Sequence, residues 1–180
     1  MRIRTLSLSV WLLLLLGLTA NAQTNPKRDN LRGFQFTEVI IKVARSRSAG
    51  AEVGLSERQL QVDVELRLRK AGLHVKDVND PITIEDLRAY EITPSLDVLV
   101  TIVGSDDLKG VFAADVNVRL KRMGKFGKDY SQAIFAAVWT DGITSILGKD
   151  MVEPGIRRQI ADLIDRFIND YLAANPKAVG

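Results

Sequence analysis

The feature that most constrains this fold is the regular alternation of apolar and polar side chains over residues 111–123. An extended strand points successive side chains to opposite faces of a sheet, so this alternation predicts one dry face and one wet face. The dry set is Phe112, Ala114, Val116, Val118 and Leu120, and the wet set is Asp115, Asn117, Arg119 and Lys121. A sheet with one dry face needs a second layer to cover that face.

Four further segments have the composition of strands, because they are rich in β-branched, aromatic or aliphatic residues. They are residues 34–43, 73–78, 95–103 and 130–140. The segment 105–110 has the turn chemistry of a hairpin. Residues 141–155 are interpreted as a connection, and residues 79–94 as a loop whose structure the sequence does not determine.

Two segments are predicted to be helices. Ser56 and Gln59 form a capping box at the start of residues 57–71, and Gly72 suits the left-handed cap that ends a helix. The second helix ends before Asn175-Pro176, and its apolar stripe at helical spacing is Ile156, Ile160, Leu163, Ile164, Phe167, Ile168 and Tyr171.

These elements predict a two-layer α+β fold with a mixed, mostly antiparallel sheet. The predicted element order is β-α-β-β-β-β-α, with two helices packed on one face of the sheet. We expect one domain over residues 34–175, a flexible polar segment over residues 23–33 and a short tail over residues 176–180. A chain of this length can bury a core of its own.

Residues 1–22 are typical of a cleavable secretory signal peptide. Arg2 and Arg4 precede an apolar run over residues 6–18, and the small residues Ala20 and Ala22 follow it. The run is shorter than the roughly 20 apolar residues that span a bilayer, so it predicts export rather than an anchor. Its removal leaves 23 Lys and Arg against 22 Asp and Glu, a net charge of +1, and no transmembrane segment is expected afterwards.

The absence of cysteine adds to this prediction of compartment. The exported chain cannot form a disulfide or be acylated on cysteine, so we expect a soluble periplasmic or secreted protein. Its near-neutral charge and its export argue against nucleic acid as a partner.

Known catalytic and metal-binding patterns are missing. The chain has one histidine, His74, and no cysteine, so we expect no metal and no cofactor. Neither a nucleophile elbow nor a phosphate-binding loop occurs, which predicts a protein that is not an enzyme. The alternative is a hydrolase that uses paired carboxylates, either Asp106 with Asp107 or a group of loop acids. The loop acids are Asp77, Asp80, Glu85 and Asp86.

One hairpin is rich in cations that suit an anionic glycolipid or lipid surface. The predicted basic hairpin consists of Arg119, Lys121, Arg122, Lys125 and Lys128. The alternative is a solvated hairpin whose edge charges discourage sheet-to-sheet association.

A second candidate site is an apolar sheet face. If Ile134 and Val138 pack under the helices, Phe135 and Trp139 point outward near Leu99 and form an apolar patch suited to another envelope protein. The alternatives are that residues 79–94 cover this patch, or that Phe135 and Trp139 belong to the main core.

The order of segments, with "LRKAGL" and the closing "IADLIDRFINDYLAANP", resembles small exported bacterial proteins of unassigned activity. The topology is also similar to that of the lipopolysaccharide-assembly lipoprotein of the outer membrane, although this chain lacks the lipidated cysteine of that protein. The sequence as a whole predicts a non-enzymatic accessory or binding protein of envelope assembly, which acts through the sheet face or the basic hairpin. A hydrolase and a carrier of a small apolar ligand remain the alternatives.

Overall fold

The computed structural model describes residues 26–33, 36–46, 49, 54–76, 94–126 and 132–176. The helices are α1 (Pro26–Asp29), α2 (Glu57–Lys70) and α3 (Val152–Ala174). The strands are β1 (Phe36–Arg45), β2 (His74–Val75), β3 (Ser95–Gly104), β4 (Val111–Phe126) and β5 (Gln132–Gly148), and a 3-10 turn (Lys149–Met151) joins β5 to α3.

The strands form one mixed sheet in the order β2-β1-β3-β4-β5. β1 pairs in parallel with both β2 and β3, whereas β4 is antiparallel to both β3 and β5. The long helices α2 and α3 pack on the sheet, so the predicted α+β class and order of elements are confirmed.

The core lies between the sheet and these two helices. Alternate residues of β3 and β4 are buried as the sequence pattern predicts, from Leu96 to Ile102 and from Phe112 to Leu120. The predicted stripe of α3 is buried in full, and Leu60, Val64 and Leu68 are the buried face of α2. Burial also raises the pKa of the Tyr171 phenol above its usual value, because the phenolate would lose its hydration.

The predicted helix signals are confirmed at both ends of α2. The Gln59 backbone N–H donates to Ser56 Oγ at 3.4 Å, which satisfies one of the amides that the first helical turn leaves without a partner. Gly72, just beyond the helix, has a φ of 83°, a backbone angle that side chains other than hydrogen rarely tolerate.

Two predictions about the chain path are wrong. The segment 23–33 was expected to be flexible, but it contains α1, and Leu31 is fully buried. Asn175 fixes this segment, because its Nδ2 donates to the Leu31 carbonyl at 2.8 Å and its Oδ1 accepts from the Gly33 amide at 3.0 Å. Residues 141–148, expected to be a connection, continue β5 to Gly148.

Other boundaries differ less. The strand expected over residues 73–78 is limited to His74–Val75 within the described residues. The loop expected over residues 79–94 lies outside the described residues except for Pro94, which is buried.

Candidate interaction surface on the outer face of the sheet

The outer face of the sheet is the face opposite α2 and α3. Its residues alternate with the buried positions of β3, β4 and β5, and most of them are exposed or half-buried. It divides into an apolar end, a polar centre and a region that contains a buried ion pair.

The apolar end is a row of three neighbouring side chains across three strands. Val103 on β3 lies opposite Ala113 on β4, and Ala113 lies opposite Ile146 on β5. Val103 is 49% exposed and Ile146 is 79% exposed. Val111 continues the row along β4 at 39% exposure. We call Val103, Val111, Ala113 and Ile146 the apolar patch.

The polar centre lies next to the apolar patch. The Asp115 carboxylate accepts from the Thr144 hydroxyl at 2.7 Å and also from the side-chain amide of Asn117. Gly142 faces Asn117 on the neighbouring strand, and a Cβ at Gly142 would lie 2.7 Å from Asn117 Oδ1. The glycine therefore makes room for the asparagine side chain, which this network holds against the sheet.

The third region contains an ion pair between β3 and β4. Lys121 Nζ lies 2.5 Å from Asp97 Oδ2, and Asp97 is only 5% exposed. The other oxygen, Oδ1, is buried and has no hydrogen-bond partner among the described residues. Because an unpaired carboxylate at this depth would be costly, Lys121 neutralises Asp97 instead of offering a free charge to a ligand.

The predicted basic hairpin is therefore only partly assembled in the described residues. Arg119 and Lys121 occupy outer-face positions on β4. Arg122 lies two residues after the buried Leu120, and residues two apart on a strand share a face, so Arg122 has a position on the helix side. Lys125 has its backbone in β4, but its side chain and all of Lys128 lie outside the described residues. Binding of an anionic surface here stays a prediction.

The prediction that Trp139 points outward is wrong. Trp139 is 1% exposed, packs edge-on against Phe167 with ring centroids 5.2 Å apart, and donates from Nε1 to Asp170 Oδ2 at 3.1 Å. Lys27 Nζ lies 4.9 Å from the ring centroid, in cation–π geometry. Trp139 belongs to the main core, as one of the alternatives held.

A β-bulge explains this error. Leu120 pairs with Trp139 but Lys121 pairs with Ala137, so Val138 is an extra residue on β5. One extra residue reverses which side chains face the helices in the part of β5 before it. Phe135 thereby takes an outer-face register position opposite Met123, although its side chain lies outside the described residues.

Leu99, the third residue of the predicted apolar face, is half-buried on the outer face opposite Asn117. Leu99 and Trp139 thus lie on opposite faces of the sheet, and the predicted trio does not form one surface. The large exposed apolar side chains of the outer face lie instead in the apolar patch. The sequence indicates this for Val111 and Ala113, because both are apolar residues at outer-face positions of the alternation. It does not for Ile146, because residues 141–155 were interpreted as a connection and not as a strand.

The residues of the alternative chemistries lie at the surface or outside the described residues. Asp106 and Asp107 are both exposed in the turn before β4, and the four loop acids lie outside the described residues. Within the described ranges, no group of three or more potential metal-ligating side chains lies together. A groove of about 450 Å³ between α2 and α3 opens at the surface instead of lying between the sheet and the helices.

No protein-family model matches the sequence, and no curated protein matches it. Among solved structures, the chain is similar to a hypothetical protein from Chlamydia trachomatis at 9% identity, with a TM-score of 0.42, covering 78% of this chain and 99% of the other. It is also similar to a minor lipoprotein from Acinetobacter baumannii at 9% identity, with a TM-score of 0.32, covering 80% and 95%. Among the described helices, none has both the length and the apolar character needed to cross a bilayer.

Proposed function

We propose that this protein is a non-enzymatic accessory protein of the bacterial envelope that binds another protein through the apolar patch. The observation that carries the proposal is the row Val103–Ala113–Ile146, in which apolar side chains lie exposed on the sheet face that α2 and α3 leave open. Contiguous exposed apolar side chains rimmed by polar residues are typical of protein interaction sites.

The surroundings of the apolar patch favour a protein as its partner. On one side lies the hydrogen-bonded network of Asp115, Asn117 and Thr144, which supplies fixed polar groups at the rim. An apolar centre with a polar rim is the usual anatomy of a protein–protein interface. The β-strands beneath hold these side chains in fixed positions, which lowers the entropic cost of binding.

The predicted signal peptide supports the bacterial envelope as the location of this protein. The pattern of residues 1–22 is that of a secretory signal peptide, and a chain without cysteine needs no oxidising step to fold after translocation. The expected mature protein begins at Gln23. Mass spectrometry of the protein from an envelope fraction tests this, and a protein that retains Met1 there would contradict the export part of the proposal.

The binding part is tested by site-specific photocrosslinking in cells. A photoreactive amino acid at Ile146 should give a discrete crosslinked band that contains a different protein as identified by mass spectrometry, whereas the same group at Asp162, which is exposed on α3, should not. Introducing Val103→Asp into the Ile146 probe protein should abolish the band, because it places a charge within the apolar patch. Equal crosslinking from Ile146 and Asp162, or a band that survives Val103→Asp, would argue against the proposed site.

A further inference from the structure

β5 forms an edge of the described sheet, since only β4 pairs with it. The Lys149 amide donates to the Gly110 carbonyl at 2.9 Å, and these residues lie directly opposite each other in the continued register. Hydrogen-bonded pairs alternate along an antiparallel ladder, so residues 147, 145 and 143 also bond to β4. The backbone groups of Ile146 and Thr144 consequently point away from the sheet.

The first half of this edge is covered. Asn30 Nδ2 donates to the Val138 carbonyl at 3.2 Å, and Lys27 Nζ lies 4.0 Å from the Asp141 carboxylate. The Gly142 amide bonds to Asp141 Oδ1 at 3.0 Å, as expected for an amide that β4 does not use. Among the described residues, none covers residues 142–148, and we call this stretch the open edge.

The open edge lacks the features that usually block strand addition. Proteins protect such edges with lysine, proline, inward charges or very short strands. β5 is 17 residues long, contains neither lysine nor proline, and has Asp141 as its single charged residue. Residues 142–148 carry no charge at all. A strand of this kind is suited to pairing with another strand.

We propose that two copies of this protein associate through antiparallel pairing of their β5 edges, centred on Thr144. In this register Thr144 lies opposite Thr144 of the second copy, so the two copies share one two-fold axis. Ile146 lies opposite Gly142 of the second copy, and Gly142 lies opposite its Ile146. The edge is thus complementary to itself, because each bulky outer-face side chain meets a position without a side chain.

The distribution of charge also suits a second copy. The two Asp141 residues would be offset by six residues along the paired strands, roughly 20 Å at the rise of a strand. This distance exceeds the Debye length of about 8 Å at physiological ionic strength. Each Asp141 also lies 3.4 Å from its own Arg166, so the only acidic residue of β5 does not oppose the pairing.

The pairing would give the outward backbone groups of Thr144 and Ile146 their missing partners and would cover part of the exposed Ile146 side chain. It would join two five-stranded sheets into one continuous sheet, with all four long helices on one side. This inference does not rest on the proposed envelope partner, since Val103 and Val111 remain accessible in the pair.

The test is the mass of the purified protein by sedimentation equilibrium over a range of concentrations. The wild-type protein should shift from monomer to dimer as concentration rises. Thr144→Pro removes an outward amide without breaking a bond to β4, and it should raise the dimer dissociation constant at least about tenfold. The matched control is Thr144→Val, which also loses the hydroxyl bond to Asp115 but keeps the amide, and should dimerise like the wild type.

Ile146→Lys serves as a second edge variant, which keeps the test valid if Thr144→Pro fails to fold as judged by circular dichroism. Hydrogen exchange at the Thr144 and Ile146 amides should slow as the wild-type concentration rises. A wild-type protein that stays monomeric at every concentration would overturn the inference. A dimer that survives Ile146→Lys but is lost in Val103→Lys would also overturn it, because the contact would then involve the face and not the edge.

Discussion

Lys121 on β4 reaches across to the nearly buried carboxylate of Asp97 on β3, on the face of the sheet that the helices leave open. The pair links the two strands at a position where Asp97 lies opposite Arg119 in register. A buried acidic side chain needs a counter-charge, so the pair explains why the lysine at this outer-face position is not free for a ligand.

Replacement of Lys121 by Met should destabilise the protein, because it leaves the Asp97 carboxylate buried without its counter-charge. We expect a loss of about 2 kcal/mol in the free energy of unfolding, measured by urea denaturation at neutral pH. The double variant Asp97→Leu with Lys121→Met should recover most of this loss, since it removes both charges. An unchanged stability in Lys121→Met would show that Asp97 is solvated instead of buried.

Trp139 should be a core residue in solution. Trp139→Ala should cost about 3 to 5 kcal/mol in the free energy of unfolding, because it empties the space beside Phe167. Trp139→Phe, the matched control, keeps the aromatic ring and loses the hydrogen bond to Asp170, so its cost should be clearly smaller. A cost below about 1 kcal/mol for Trp139→Ala would place the side chain at the surface, as the sequence pattern alone predicts.

The segment before β1 should contribute to stability although its sequence is polar. Leu31→Ala should cost about 2 to 5 kcal/mol in the free energy of unfolding, since Leu31 is fully buried. Arg32→Ala is the neighbouring control, and its effect should stay within about 0.5 kcal/mol because Arg32 makes a surface ion pair with Asp29. Equal and small effects of the two variants in chemical denaturation would mean that this segment is not docked.

Tyr171 should make the protein less stable at alkaline pH. Burial raises the pKa of its phenol above its ordinary value of about 10, so the folded state holds the proton after the unfolded state has released it. The contribution of Tyr171 to the free energy of unfolding is therefore fully present below about pH 10. It falls as the pH rises further, because the unfolded chain then binds fewer protons than the folded chain. Tyr171→Phe should show a shallower fall between pH 9 and about pH 11 in denaturation midpoints. An identical pH profile for the two proteins would contradict this assignment.

The helices and the central strands could be predicted because their signals are local. Ser56, Gln59 and Gly72 mark the ends of α2 by backbone chemistry, and the stripe from Ile156 to Tyr171 marks the buried face of α3 by spacing alone. In β4 the alternation is unbroken as far as Leu120, so every buried residue from Phe112 to Leu120 was identified correctly.

The site was harder to predict, because its determinants are not local. A single extra residue, Val138, reverses which side chains of the first part of β5 face the helices. No residue type predicts such a bulge. The segment that carries Leu31 bonds to residues more than a hundred positions away, for example through Arg28 and Asp170. The exposure of Ile146 depends on β5 being the edge strand, which follows from strand order and not from strand pattern.

Asn175 joins the first and the last described elements, since its side chain bonds to both Leu31 and Gly33. The two ends of the described region are therefore close neighbours in space. A short linker between them should allow circular permutation, with new termini opened in the exposed turn at Asp106 and Asp107. Such a rearranged chain would keep every strand pair and helix contact of the parent while changing the order in which they leave the ribosome.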